Sequence, residues 1–284
     1  MTEPGEALRG YVQFLHEREG VRQVRLSRTA RQGLARVSAP TVAGPATATL
    51  ETAAPRSTAT SVTPTATAIM ETVEISGSTK VEQLRHLAER ASVCVKCPHL
   101  AARRHSVVFG VGDSDAKLMF VGEGPGEEED LQGEPFVGRA GQLLTKMILA
   151  MGLTREKVYI ANILKCRPDM PAGAPGNRKP TKQEMDTCLP YLRAQIEVIR
   201  PGVIVALGAT AVEGLLGPIG TIGSLRGKFL EYRGTPLMPT YHPSYLLRNQ
   251  SNTEKRKVWE DLLKVMDRLE MPISEKQRTF FLKA

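Results

Sequence analysis

The segment KLMFVGEGPGEEEDLQGEPFVGRAGQLLTKMILAMGLTREKVYIANILK, Lys117 to Lys165, reads as strand, turn, helix, strand. Its first run, KLMFVG (117–122), is a short continuous apolar stretch closed by glycine, the pattern of a strand buried on both faces. GQLLTKMILAMG (141–152) carries its apolar residues at helical spacing, and KVYIANILK (157–165) returns to strand. Two strands joined through a helix pair in parallel, so the segment predicts an α/β sheet.

The same alternation extends in both directions. Upstream, VEQLRHLAERA places Val81, Leu84, Leu87, Ala88 and Ala91 on one helical face. Downstream come a helix striped by Met185, Leu189, Leu192 and Ile196, the strand GVIVALG (202–208) and the short helix ATAVEGLL. A strand pair at Phe229–Tyr232 and Leu237–Tyr241 follows, then a closing helix with Trp259, Leu262, Leu263, Met266 and Leu269 inward. In open sheets of this kind ligands lie beyond the carboxyl ends of the strands. Three such ends draw attention: Gly122–Gly126, Asn162–Cys166 and Tyr241–Ser244.

This pattern predicts a domain over 80–284. Before it, residues 1–36 fit one short amphipathic helix on Leu8, Tyr11, Val12 and Leu15 with an arginine-rich tail. Residues 37–79 are dominated by Ala, Thr, Pro and Ser, with too little bulky apolar surface to offset the entropy of ordering, and read as a flexible linker. A formal charge of +8, from 38 Lys and Arg against 30 Asp and Glu, points to a polyanion such as nucleic acid, or to no more than a basic surface. The most apolar window, VIVALGATAVEGLLG, is broken by glycines and a glutamate well short of a membrane span, so a cytoplasmic location with no membrane partner is expected.

Cys94 and Cys97 form a C-x-x-C pair, Cys166 ends a strand and Cys188 lies on the next helix. In a reducing compartment such a set reads first as metal ligands, and a thiolate tetrad suits zinc or an iron–sulfur cluster alike. The alternative for Cys188 is a buried hydrophobe on an amphipathic helix. Between Cys166 and Cys188 lies a loop of 21 residues rich in Pro and Gly that bears Arg167, Arg178, Lys179 and Lys182, fit to lie along a phosphate backbone if both its ends are held.

GEGPGEEEDLQGEPFVGRAGQLL, ANILKCRP with GNRKPT beyond it, VIVALGATA and YHPSYLLR stand in the order and approximate spacing of the family 4 uracil-DNA glycosylases, which carry a 4Fe–4S cluster. The chain resembles that family from about residue 80 to 270; residues 1–79 lie outside the likeness. The resemblance implies a three-layer α/β/α fold around a central, mostly parallel four-stranded sheet. It also implies removal of uracil from DNA as the first step of base-excision repair, and a 4Fe–4S cluster on Cys94, Cys97, Cys166 and Cys188.

Under that reading the base must leave the duplex stack at a cost of a few kcal/mol. Leu246 or Leu247 is expected to fill the gap, with Ser244, Arg248 and Arg178 on the DNA backbone. Phe136 offers a stacking face indifferent to base identity. Asn162 reads the edge: its carbonyl accepts from uracil N3–H while its amide donates to O4, a pattern cytosine reverses, provided that neighbouring groups fix the amide. Glu129 stands at the base C5 edge to exclude a methyl, while Glu127 and Glu128 read as helix-start or surface charges.

For bond cleavage, His242 is the expected donor to uracil O2, and Glu123 orients water or stabilises the cationic sugar. Gly124 lines the turn where the family pattern GEAPG carries alanine, a change expected only to loosen it. The loop between Cys166 and Cys188 is longer than is usual in the family and holds no histidine, so ordinary turnover on single- or double-stranded uracil-DNA by a monomer is expected, with a repair or replication partner for the N-terminal extension. The competing readings are a non-catalytic iron–sulfur protein that binds DNA or senses redox state, and a zinc-stabilised nucleotide hydrolase.

Overall fold

The computed structural model describes residues 72–170 and 176–282; the helix expected over 1–36, most of the linker over 37–79 and loop residues 171–175 lie outside them. Helix α1 (Lys80–Ser92) starts at a capping box, with Thr79 Oγ1 accepting from the Glu82 N–H and the Glu82 carboxylate accepting from the Thr79 N–H. Ordered packing begins before Lys80, because Val73 and Ile75 lie against a small cluster around Leu87 and Ala91. Val81, expected on the buried face, is 65% exposed in the first turn.

After the one-turn α2 (Pro98–Ala101) come β1 (Val111–Gly112), β2 (Leu118–Gly122), α3 (Glu127–Gln132), α4 (Arg139–Ala150), β3 (Tyr159–Asn162), α5 (Lys182–Ile199), β4 (Val203–Leu207) and α6 (Ala209–Leu216). The chain continues through α7 (Ile222–Leu225), β5 (Leu230–Tyr232), β6 (Thr235–Thr240), α8 (Pro243–Arg248), α9 (Asn252–Arg268) and α10 (Glu275–Thr279).

The sheet has six strands in the order β1-β3-β2-β4-β6-β5. The central four are parallel, and the short β1 and β5 pair antiparallel at the two edges. The four-stranded expectation therefore describes the parallel centre. β5 was visible in sequence as half of a strand pair, whereas the two-residue β1 leaves no periodic signal.

Alternation along each strand builds the layers. Met119, Val121, Ile204 and Ala206 face α5 and α6, packing on Met185, Leu189, Leu192 and Val212. Leu118, Phe120, Val203 and Val205 face the other way, against Leu144 and Ile148 of α4 and Trp259, Leu262 and Met266 of α9. Both faces are thus buried, which is why these strands read as continuous apolar runs.

Candidate active site

The parallel strands finish at one rim. Gly122 pairs with Asn162 across β2 and β3, and Leu207 pairs with Thr240 across β4 and β6. Beyond these ends opens a cavity of about 510 Å³ lined by Glu123, Gly124, Glu129, Phe136, Asn162, Arg178, His242, Ser244 and Arg248. The three strand ends singled out in the sequence meet there. A fourth, Leu207–Gly208–Ala209 after β4, also lines it and follows from the same rule about strand ends, which the sequence reading did not apply to it.

Asn162 is 2% exposed, and its Oδ1 is buried without a hydrogen-bond partner among the described residues. A buried acceptor left unpaired costs about 1–3 kcal/mol and calls for an explanation. The expected lock on this amide is not a hydrogen bond to Oδ1. A Cβ on Gly122 would lie 2.4 Å from Asn162 Oδ1 and 2.5 Å from Phe136 Cζ, so glycine at this position lets both approach. The Asn162 backbone carbonyl accepts from the buried Lys165 ammonium at 3.0 Å.

His242 caps α8, its Nδ1 accepting from the Ser244 N–H at 3.2 Å and lying 2.8 Å from Ser244 Oγ. A ring nitrogen that accepts from a backbone N–H carries no proton, so in the neutral ring the proton sits on Nε2. Burial lowers the imidazole pKa to about 4; Arg248 adds to the shift and Glu129 opposes it. The ring is therefore neutral near pH 7. Its centroid lies 5.6 Å from that of Phe136, at an interplanar angle of 32°. Phe136 sits at φ 55°, a left-handed conformation that costs an L-residue about 1–2 kcal/mol. Glu123 lines the cavity, and its carboxylate makes no hydrogen bond or ion pair among the described residues.

The acidic run resolves into separate jobs along α3. Glu127 and Glu128 are exposed in its first turn, where carboxylates favour the positive helix end. Glu129 accepts from the Gly126, Val137 and Gly138 N–H groups at 3.1, 3.0 and 2.9 Å, tying the glycine turn to the start of α4. Asp130 is 1% exposed and accepts from the His105 N–H and ring Nδ1. This clamp was invisible in sequence because its partner lies 25 residues away. A Cβ on Gly124 would meet Leu164 Cβ at 3.3 Å, a tight contact that an alanine there could make only with a shift of a few tenths of an ångström.

The residues expected on DNA divide. Leu246 is 5% exposed and packs in the core beside Trp259, whereas Leu247 is half-buried and Arg248 exposed. Arg178 lines the cavity, but its five N–H groups are engaged within the protein. Nε donates to the Asp169 carbonyl at 2.7 Å, and the two terminal nitrogens donate to Asp169 Oδ1, the Lys179 carbonyl and both Glu184 carboxylate oxygens. Asn177, Pro168 and Ala209 line the cavity as well, though sequence singled out none of them.

Cys94, Cys97, Cys166 and Cys188 line one small pocket with Arg104 and Leu164. Burial, joined by the charges of Cys166 and Cys97 and opposed by Lys165, pushes the Cys188 thiol up to about 12. Two donors point at the sulfurs: Arg104 at Cys166 Sγ and the Lys165 N–H at Cys188 Sγ, both at 3.2 Å.

Glu184 lies near this pocket, 3% exposed, holding Arg178 and His99. Burial alone would raise its pKa, but hydrogen bonds from Arg178, His99 and the Thr181 N–H bring it to about 2. Its contribution to stability is complete above the ordinary 4.5 and is lost as pH falls toward 2. Glu184→Gln is expected to cost about 3 kcal/mol at pH 7 and less below pH 3, read from denaturant midpoints; an equal loss at both pH values would contradict this.

An α/β protein whose sheet rim sets an aromatic face beside an unspent amide acceptor is equipped to hold a planar ring with hydrogen-bonding edges. The model of the uracil DNA glycosylase superfamily matches residues 109–263. The type-4 uracil-DNA glycosylase of Thermotoga maritima is 49% identical over 188 residues, covering 66% of this chain and 94% of that protein. That of Archaeoglobus fulgidus is 40% identical over 193 residues, covering 63% and 94%. The type-5 uracil-DNA glycosylase of Pyrobaculum aerophilum is 30% identical over 185 residues, covering 54% and 79%. The chain belongs to the uracil DNA glycosylase superfamily, in the type-4 group that its motifs resemble.

Proposed function

We propose that this protein removes uracil from DNA by hydrolysing the N-glycosidic bond, releasing free uracil and leaving an abasic site. The observation that carries the reading is the unpaired Asn162 Oδ1, buried in a cavity beside Phe136 and a neutral His242. A flipped uracil satisfies that acceptor with N3–H, and the Asn162 amide donates to O4. Phe136 supplies the stacking face. Glu129, its carboxylate fixed by three backbone N–H groups, gives a rigid wall at the C5 edge.

His242 donates from Nε2 to O2 as negative charge develops on the departing base. Glu123, with no partner of its own among the described residues, faces the sugar and orients water or stabilises its cationic character. Leu247 fits the wedge better than the core residue Leu246, and Ser244 and Arg248 flank it for backbone phosphates. Arg178 is read as holding its loop in place, since its donors are already engaged.

Cys94, Cys97, Cys166 and Cys188 fit a 4Fe–4S cluster. Among the described residues, the three groups that bring ligand atoms mutually within 4.8 Å are His99, Asp169 and Glu184, two of which Arg178 already neutralises. Four thiols that share one pocket suit a polynuclear centre, which would pin the segments after α1 and β3 to α5 as structural support. The monomeric state, the cytoplasmic location and a partner for residues 1–79 belong to the same proposal; among the described residues no helix is long and apolar enough to cross a membrane.

The non-catalytic reading is not favoured, because binding alone needs no Glu123, Asn162 and His242 around one cavity. The test is incubation with an oligonucleotide carrying one uracil, then alkali. Strand scission at that position, with none at cytosine or thymine in matched controls, is expected; an intact strand would defeat the proposal.

A further inference from the structure

We infer that Arg155 is a positioning residue that holds the base-stacking ring of Phe136 in place through the backbone; this rests on reading Phe136 as the stacking face. Arg155 opens the 3-10 turn between α4 and β3 and does not line the cavity. Its guanidinium donates to two consecutive carbonyls, Pro135 at 2.7 Å and Phe136 at 3.1 Å, and to Thr145 Oγ1 of α4 at 3.3 Å. Thr145 Oγ1 in turn donates to the Gly141 carbonyl at 3.1 Å.

Phe136 needs such a hold. A bulky residue with positive φ persists only where its surroundings over-determine it. Two glycines leave room for this conformation: a Cβ on Gly141 would lie 1.9 Å from the Phe136 carbonyl oxygen, and one on Gly122 would lie 2.5 Å from the ring. Glycines permit the arrangement without enforcing it. Arg155 supplies the attraction, since one planar fork reaches both carbonyls that flank the Phe136 nitrogen and α-carbon; a lysine ammonium is a point donor. Without that fork the 135–136 segment is free to relax toward ordinary φ, carrying the ring away from its place beside His242. Arg155 touches no reacting group, so its loss falls on base retention more than on bond cleavage.

The experiment measures inhibition by free uracil, KM and kcat on a uracil-containing oligonucleotide for Arg155→Gln, Arg155→Lys, Phe136→Ala and the Arg155→Gln/Phe136→Ala double variant, in preparations matched for iron content. Arg155→Gln is expected to weaken uracil inhibition and raise KM by about tenfold, with kcat changed by less than about threefold. Arg155→Lys should fall between, and carries the test if Arg155→Gln does not fold. The double variant should bind uracil no worse than Phe136→Ala, because the arginine has then lost the ring it places. An Arg155 effect of equal size with and without Phe136, or one confined to kcat, overturns the positioning role. If Phe136→Ala alone leaves uracil inhibition unchanged, the stacking reading itself falls, and this inference with it.

Discussion

His242→Ala is expected to slow single-turnover release of uracil by about 10²–10³-fold near neutral pH, the cost of losing one well-placed donor to a developing oxyanion. The expectation follows from the tautomer. Because the Ser244 N–H occupies Nδ1, the proton resides on Nε2, and burial keeps the ring neutral with a pKa of about 4. A neutral donor requires no prior protonation, so the wild-type rate should not respond to titration of this ring between about pH 5 and 8. The sign for stability follows from the lowered value: the unfolded ring takes up its proton first, near 6.5, so the stability contributed by neutral His242 is complete above that pH and is lost as pH falls through about 4. A wild-type rate that rose as pH dropped through 6.5 would point to imidazolium as the active form and contradict this role. Iron content from the proposed cluster should match that of the wild type, since His242 is not among the residues that line the cysteine pocket.

Asn162→Ala should be of similar size, a loss of about 10²-fold or more in kcat/KM, because it removes both hydrogen bonds proposed to the base edge. The direction of specificity is the sharper test. Uracil and cytosine offer opposite donors and acceptors at N3 and C4, so a site that loses its reading amide should approach equal and low rates on both. Full retention of uracil activity would move the specificity element elsewhere in the cavity, where Asn177 is the other amide among the lining residues, while leaving the family untouched.

The sequence revealed much of this site because its parts sit where strands stop. Asn162, Glu123 and His242 each follow an apolar run, and the α/β rule brings such ends to one rim. The shared pocket of the four cysteines was legible for a different reason, since a C-x-x-C pair with two single cysteines reads as one ligand set. What escaped the reading depends on pairs distant in sequence. Glu129 reaches Val137 and Gly138, Asp130 reaches His105, and Arg155 reaches Pro135. Periodicity reports which face of an element is buried, but carries nothing about which side chain will meet a backbone carbonyl twenty residues away. Arg178 illustrates the complementary limit: a basic residue in a loop looks free for phosphate until the fold supplies Asp169 and Glu184. The exposed Val81 shows the same at a helix end, where the apolar stripe runs past the neighbour that would cover it.

The strand ends form one pocket, and the proposed partner for its Asn162 Oδ1, unpaired among the described residues, is a pyrimidine N–H. A crystal structure of the protein soaked with free uracil addresses it directly. The ring is expected to stack on Phe136, with N3 within hydrogen-bond distance of Asn162 Oδ1 and O2 within reach of His242 Nε2. Uracil bound elsewhere, or bound in this cavity with Asn162 Oδ1 still unpartnered, would contradict it.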